Sequence, residues 1–424
     1  MPRIICFGPG PRFKGGIANY NVSLAKAFDR LPDSEVHIIS WSQQYPAIVP
    51  REFHDTKSKK DLLEGTDIQV EYLCNYNRPS SWKKTAQRMV ELRPEKIIIQ
   101  WYNAQQGLPL SRMLKYLKKH SDAEILFDLH FVVPKENSAI DRWFTKLGLK
   151  HVPHFIAHAY STVRELEDLF PGESFHVTEE GGTPPEGQRK VIKLYHPIYD
   201  LFQPDEGFDL AAFKAEHHLK EHVFLFFGFI RKYKGLHYVI ESFAELSKKR
   251  DDVSLMICGE SFWNTLDDSK FSTRVKNFLF SIAKALFMKK ADDEKDYRPL
   301  ESIEGLGIQD KVLLVNEFIP NEDVPKYFQA ADSIVLFYER ATPSGVESLS
   351  YNFDLPILAT RVGHFPETVK DGYNGYLAEP GNIQDMVRVM EQSIEAPIDR
   401  QHVHASAQHM SWDRYVAAII LADA

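Results

Sequence analysis

The chain has 424 residues, 43% hydrophobic and 26% charged. That is too long for one ordinary core, and ordinary enough in composition for two domains to bury cores without disulfides or a structural metal. A formal net charge of −8 argues against a dedicated nucleic-acid binder, though not against a local basic patch. The cysteines, Cys6, Cys74 and Cys258, show no pairing pattern and no zinc-ligand spacing, which fits a reducing compartment.

The first ten residues, MPRIICFGPG, lack the basic region, apolar run and cleavage site of a signal peptide. No stretch approaches the ~18 uncharged apolar residues of a membrane-spanning helix, so a cytoplasmic protein is expected. Short apolar runs then alternate with amphipathic ones. Ile4–Phe7, Val36–Ser40, Lys96–Trp101, Ile125–His130 and His154–Ala157 predict strands of a parallel sheet buried on both faces. Ala18–Phe28 and Leu110–Lys119 predict helices between them. Such alternation implies right-handed crossovers and a doubly wound sheet.

Thr178–Gln188 carries Gly and Pro pairs and reads as a surface loop. A boundary follows near His196–Pro204, and the alternation restarts. Val223–Phe227, Val253–Cys258, Val312–Val315, Ser333–Phe337 and Leu355–Ala359 read as strands, and Gly235–Lys248 as a helix. The expected domains are 1–198 and 199–400, with a helix in 401–424 crossing back to the first and Trp412 as its anchor. An insertion is expected at about 264–300. Within it, Asp267–Lys290 puts Phe271, Val275, Phe278, Leu279, Ile282 and Leu286 on one stripe among lysines and arginines. It reads as an extra packed helix or as a basic amphipathic helix in weak peripheral contact with a membrane.

Three segments carry chemistry. After the first strand, Gly8-Pro9-Gly10 opens a loop that closes with Gly15-Gly16 before a helix. Glycines there let a ligand approach the backbone, and free helix N–H groups attract anions. The spacing is not the dinucleotide fingerprint. Directly after the strand ending at Phe227 comes Gly228-Phe-Ile-Arg231-Lys232-Tyr-Lys234-Gly235, whose cations at a strand's carboxyl end suit a diphosphate. After Ser333–Phe337 comes Glu339-Arg-Ala-Thr342-Pro-Ser344-Gly345-Val346-Glu347. Ser344 is the expected N-cap of a helix opening at Gly345, with Glu347 in its first turn. Glu347 is then placed to accept two hydrogen bonds from a vicinal diol, and Glu339 to reach a sugar from the strand end.

These segments, in this order, resemble the retaining GT-B glycosyltransferases of glycosyltransferase family 4. The Gly-Gly loop, the Gly…Lys-Gly motif and the Glu-x7-Glu motif appear at Gly15-Gly16, Gly228…Lys234-Gly235 and Glu339…Glu347. Leu355–Glu367 and Asp371–Gly375 resemble the family's closing block. The resemblance implies an α/β GT-B fold, two doubly wound Rossmann-like domains facing across a cleft. It implies a nucleotide-sugar donor held mostly by the second domain and a glycan, lipid-linked or small-molecule acceptor held by the first. It matches Glu347 to the ribose carboxylate, Glu339 to the carboxylate near the reaction centre, Lys234 to the diphosphate lysine and Gly16 to the loop over the donor. His130 resembles the first-domain histidine facing the transferred sugar. Catalytic candidates are therefore Glu339, His130 and Lys234. Donor-binding candidates are Gly15, Gly16, Arg231, Lys234, Thr342, Ser344, Gly345, Val346 and Glu347. The chain departs from the family at Phe229, where Arg is usual, at Arg340-Ala-Thr342 in place of Gly-Phe-Gly, and at His364 in place of a second glycine. No cofactor and no metal are expected, since cations and helix N–H groups take the diphosphate. The alternatives are a GT-B nucleotide- or glycan-binding protein without turnover, or a GT-B phosphorylase or epimerase.

Overall fold

A computed structural model describes residues 2–46, 53–132, 139–261 and 297–420. The segment Asp267–Lys290, and nearly all of the insertion expected at about 264–300, lie outside the described residues.

Two parallel sheets form the scaffold. The first contains β1 (Arg3–Gly8), β2 (Glu35–Gln43), β3 (Gln69–Asn75), β4 (Lys96–Trp101), β5 (Glu124–Leu129), β6 (His154–Ala157), β7 (Ser174–Thr178) and β8 (Gln188–Lys193). Their order is β3-β2-β1-β4-β5-β6-β8-β7. The second contains β9 (His222–Phe227), β10 (Val253–Cys258), β11 (Val312–Val315), β12 (Ser333–Leu336), β13 (Ile357–Thr360) and β14 (Gly375–Ala378), ordered β11-β10-β9-β12-β13-β14. Central strands such as β4, β10 and β12 are buried at every position, because helices cover both faces of each sheet.

Four strands were not expected, and each lacks an apolar run for a physical reason. β3 and β7 are edge strands that stay half exposed. β14, GYLA, is a short edge strand that opens on a glycine. β8 reads QRKVIK yet is interior, because Lys190 donates to Glu124 Oε1 at 2.7 Å while Lys96 takes the other oxygen at 2.5 Å. Buried cations sharing one carboxylate hide a strand from any hydrophobicity pattern. β13 starts two residues later than expected. The Leu355 N–H closes the preceding helix onto Ser350 O, and Pro356 has no N–H to give to a ladder.

Each sheet reverses its winding near its centre, between β1 and β4 in the first and between β9 and β12 in the second, and the first reverses again at its edge, where β7 lies outside β8. A crevice opens at each central reversal outside the carboxyl ends of the strands, and the loops carrying the candidate residues leave those ends. The helix Trp412–Ile420 lies against the first domain: Trp412 packs 5.2 Å from the Tyr20 ring, and Tyr415 is bonded to Tyr20 at 2.7 Å. Among the described residues no helix is long and apolar enough to cross a membrane.

Candidate active site in the interdomain cleft

The basic turn is shaped by glycine. Gly235 sits at φ 64°, and a Cβ there would meet Phe337 O at 1.9 Å, so only glycine fits between Lys234 and the helix Leu236–Ser247. The next anion-seeking element, the helix Gly345–Asn352, starts as expected with extended Ser344 before it and Glu347 in its first turn. A side chain at 345 would meet the Tyr199 ring at 2.2 Å. The expected capping bond is not made: the Ser344 hydroxyl is buried, without a hydrogen-bond partner among the described residues. The first N–H groups of that helix are left for another acceptor.

One cavity of about 340 Å³ draws these elements together. Of the candidates, Gly15, Gly16, His130, Lys234, Thr342, Ser344, Gly345 and Val346 line it. A neighbouring cavity of about 270 Å³ shares the Gly15-Gly16 loop and Lys234 and is lined by Arg231 as well. The arginine thus serves the second compartment, while Phe229, at the usual arginine position, stands beside Gly15. Lys234 carries the electrostatics. Burial, reinforced by the nearby Arg231 charge, lowers its amine from the usual lysine range to about 8.

Two candidate carboxylates are placed elsewhere. Glu347 is 4% exposed, and both its oxygens are already engaged, one by His364 Nε2 and the other by the Thr368 hydroxyl. Glu339 lies outside the cavity lining, with its carboxylate 3.7 Å from His237 Nε2.

His130 reaches the cleft from the end of β5. Its Nε2 pairs with Gln100 Oε1 at 2.8 Å, and the Tyr20 ring stands edge-on 4.8 Å away. Burial is the largest cause holding the ring's ionisation down to about 4, so it is neutral at pH 7. Behind it lies Asp128, fully buried, which accepts from Tyr20 OH at 2.8 Å and Tyr415 OH at 3.1 Å and pairs with His158 Nε2 at 2.7 Å. Burial alone would raise this carboxyl. The charge and hydrogen bond of His158, with smaller help from His130 and Tyr20, hold it below the ordinary range.

Among the cavity residues that sequence reasoning missed, three bear on the site. Tyr199 donates to Gly16 O at 2.7 Å while its ring faces Gly345, so it joins the two domains. His196 bonds the Ser348 hydroxyl at 2.6 Å. Neither had a motif to reveal it. Glu260 follows β10 and lines the cavity with a buried Oε2 that lacks a partner among the described residues; its place at a strand's carboxyl end was the available signal. Among the described residues one cluster has metal-ligand spacing, Glu221, His222 and Asp252, at the amino ends of β9 and β10, the opposite edge of the sheet from the cleft.

Residues 208–410 match the model of the family described as glycosyl transferases group 1. Over its full length the chain is similar to HepE of Anabaena, solved in complex with UDP and glucose. The identity is 15%, the TM-score is 0.62, and the match covers 100% of this chain and 97% of that one. The fold is GT-B. A glycosyltransferase from Rickettsia africae is similar to the same extent, with 13% identity, a TM-score of 0.63, and 99% and 96% coverage. By sequence, 103 residues are 30% identical to the D-inositol 3-phosphate glycosyltransferase of Thermobifida fusca. That match takes in 21% of this chain and spans about a quarter of the relative, 24% of its length.

Proposed function

We propose that this chain transfers a sugar from a nucleotide-diphosphate donor to a glycan, lipid-linked or small-molecule acceptor, with retention of configuration. The observation that carries the reading is the convergence on one cavity of the Gly15-Gly16 loop, Lys234 and the amino end of the helix Gly345–Asn352. Three anion-seeking features, brought together from distant parts of the chain, suit a diphosphate. The family match over residues 208–410 covers the side of the cleft that holds Lys234 and the helix. That HepE of the same fold was solved with UDP favours a nucleotide of that kind.

In this reading the bond from the anomeric carbon to the diphosphate oxygen breaks as the acceptor oxygen bonds to the same face of the sugar. The acceptor's proton passes to the departing phosphate oxygen. Negative charge grows on the diphosphate, and Lys234 with the helix N–H groups stabilises it. Those cations and dipoles stand in for a divalent ion, so transfer is expected to survive EDTA. Glu347 holds the ribose by exchanging His364 and Thr368 for the two ribose hydroxyls. A role for Glu339 at the sugar requires the turn 339–344 to bring its carboxylate inward when donor binds.

Thermal shift against UDP, GDP and a panel of nucleotide sugars tests the reading, since a ligand that binds only the folded chain raises its melting temperature. At least one nucleoside diphosphate should do so. If none binds at millimolar concentration, the assignment fails. Release of nucleoside diphosphate that depends on acceptor separates transfer from mere binding.

A further inference from the structure

We propose that the outer helical face of the first domain docks on an anionic lipid surface. The inference is read from that surface alone and stands apart from the sugar-transfer reading. Three helices, Pro79–Glu91, Gly107–His120 and Ala139–Leu149, pack side by side over one face of the first sheet. On the third, Ile140 is 41% exposed and Trp143 58% exposed. With Leu147 they recur at i, i+3 and i+7, and exposed Lys146 and Lys150 continue the same stripe. An indole has an apolar body and a polar N–H, which suits the boundary between headgroups and acyl chains.

The neighbouring helix supplies the charge. Gly107–His120 carries Arg112, Lys115, Lys118 and Lys119, all exposed, and no carboxylate. The groove between it and Pro79–Glu91 is lined by Lys83, Arg112, Lys115 and Lys119 beside Trp82 and Tyr116. Adding Arg142, Lys146 and Lys150, residues 107–120 and 139–150 hold seven cations against one carboxylate, Asp141. The whole chain has a formal charge of −8, so this basicity is a local concentration. Each cation close to an anionic leaflet strengthens binding about fivefold. A protein interface would deplete lysine at its centre, whereas here Lys146 and Lys150 flank the exposed indole, and the carboxylate in the same hollow, Glu173, is paired with Arg189. Charge complementarity therefore favours lipid.

The test uses the full chain with vesicles of phosphatidylcholine, alone or mixed with phosphatidylglycerol. The chain should sediment with the anionic vesicles only and be released by high salt, as screening predicts. Bromine-labelled acyl chains should quench its tryptophan fluorescence, and Trp143→Phe should remove that quenching. Ile140→Ser with Trp143→Ser, and Lys146→Glu with Lys150→Glu, should each weaken partitioning by about tenfold or more. All of these side chains are outside the core, so melting temperature should be unchanged. Failure of the wild-type chain to bind anionic vesicles overturns the proposal and leaves the stripe to a protein partner. Binding that survives in both double variants also overturns it, and moves the contact to Asp267–Lys290.

Discussion

The two walls of the cleft treat charge in opposite ways. On the first-domain wall, the buried carboxylate of Asp128 is met by two tyrosine hydroxyls and a histidine from other elements. On the second-domain wall, Lys234 meets no carboxylate within ion-pair distance among the described residues, and burial with the Arg231 charge lowers its amine. The Ser344 hydroxyl and Glu260 Oε2 in the same cavity also lack partners among those residues, as do Gln100 Nε2 and His158 Nδ1 behind the first-domain wall. Native proteins satisfy nearly all buried polar groups, and the exceptions concentrate where a ligand or a reaction needs them. The comparison separates a charge answered within the fold from one that meets no counter-charge there.

Substitutions can break that distinction. The largest effect is expected at Asp128. Asp128→Asn removes a buried charge from its partners and should cost about 3–5 kcal/mol in denaturant unfolding. A near-neutral result would mean that the network does not hold the domains' ends together. Lys234→Ala should leave stability nearly intact and lower kcat by about a hundredfold, since its interaction strengthens as the diphosphate gains charge. Steady-state kinetics at saturating donor decide this; near-normal turnover would hand the phosphate charge to Arg231. In the wild-type chain the donor KM should also rise as pH passes about 8, where the amine loses its proton.

The third prediction concerns His130 and pH. Its folded ionisation, near 4, lies below the ordinary value of 6.5. The unfolded chain therefore binds a proton that the folded chain refuses. Stability should fall as pH drops from about 6.5 to about 4, by up to about 3 kcal/mol from this residue. Melting curves across that range should be flatter in His130→Gln, though not flat, because His196 is lowered in the same direction. An unchanged slope would mean the ring is solvated. The smallest effect is expected from Glu347→Gln, which keeps the shape but removes the charge. Donor KM should rise by an amount equivalent to about 1–3 kcal/mol, with kcat falling less. A fall in kcat alone would place Glu347 at the reacting centre instead of the ribose.

Most strands of the second domain were readable because β9, β10 and β12 are largely apolar runs, β10 broken only by Ser254, and the Lys234 turn because its cations follow a strand directly. Ser344 was readable as a helix start but not as a hydroxyl left without a cap bond, which depends on where the neighbouring turn places the backbone. β8 was invisible because Lys190 is paired inside the sheet. Glu347 illustrates the same limit: its place in the first helical turn follows from spacing, while its engagement by His364 and Thr368 depends on how the loop after β13 folds back.

The sequence by itself determined what is local in this protein. Apolar period and turn residues specify two rounds of alternating strand and helix, and the left-handed turn at Gly235 is set within a few residues, although the Phe337 oxygen that bars a Cβ there comes from the far end of another strand. The tertiary structure alone decided the pairings. Tyr415 and Asp128 are 287 positions apart and Tyr20 and Asp128 are 108 apart, yet they share one carboxylate. Tyr199 joins Gly16 to Gly345 across the cleft. A hydrogen bond forms or fails within a few tenths of an ångström. No pattern along the chain carries that distance; it exists only once both sheets have packed and the last helix has returned to the first domain.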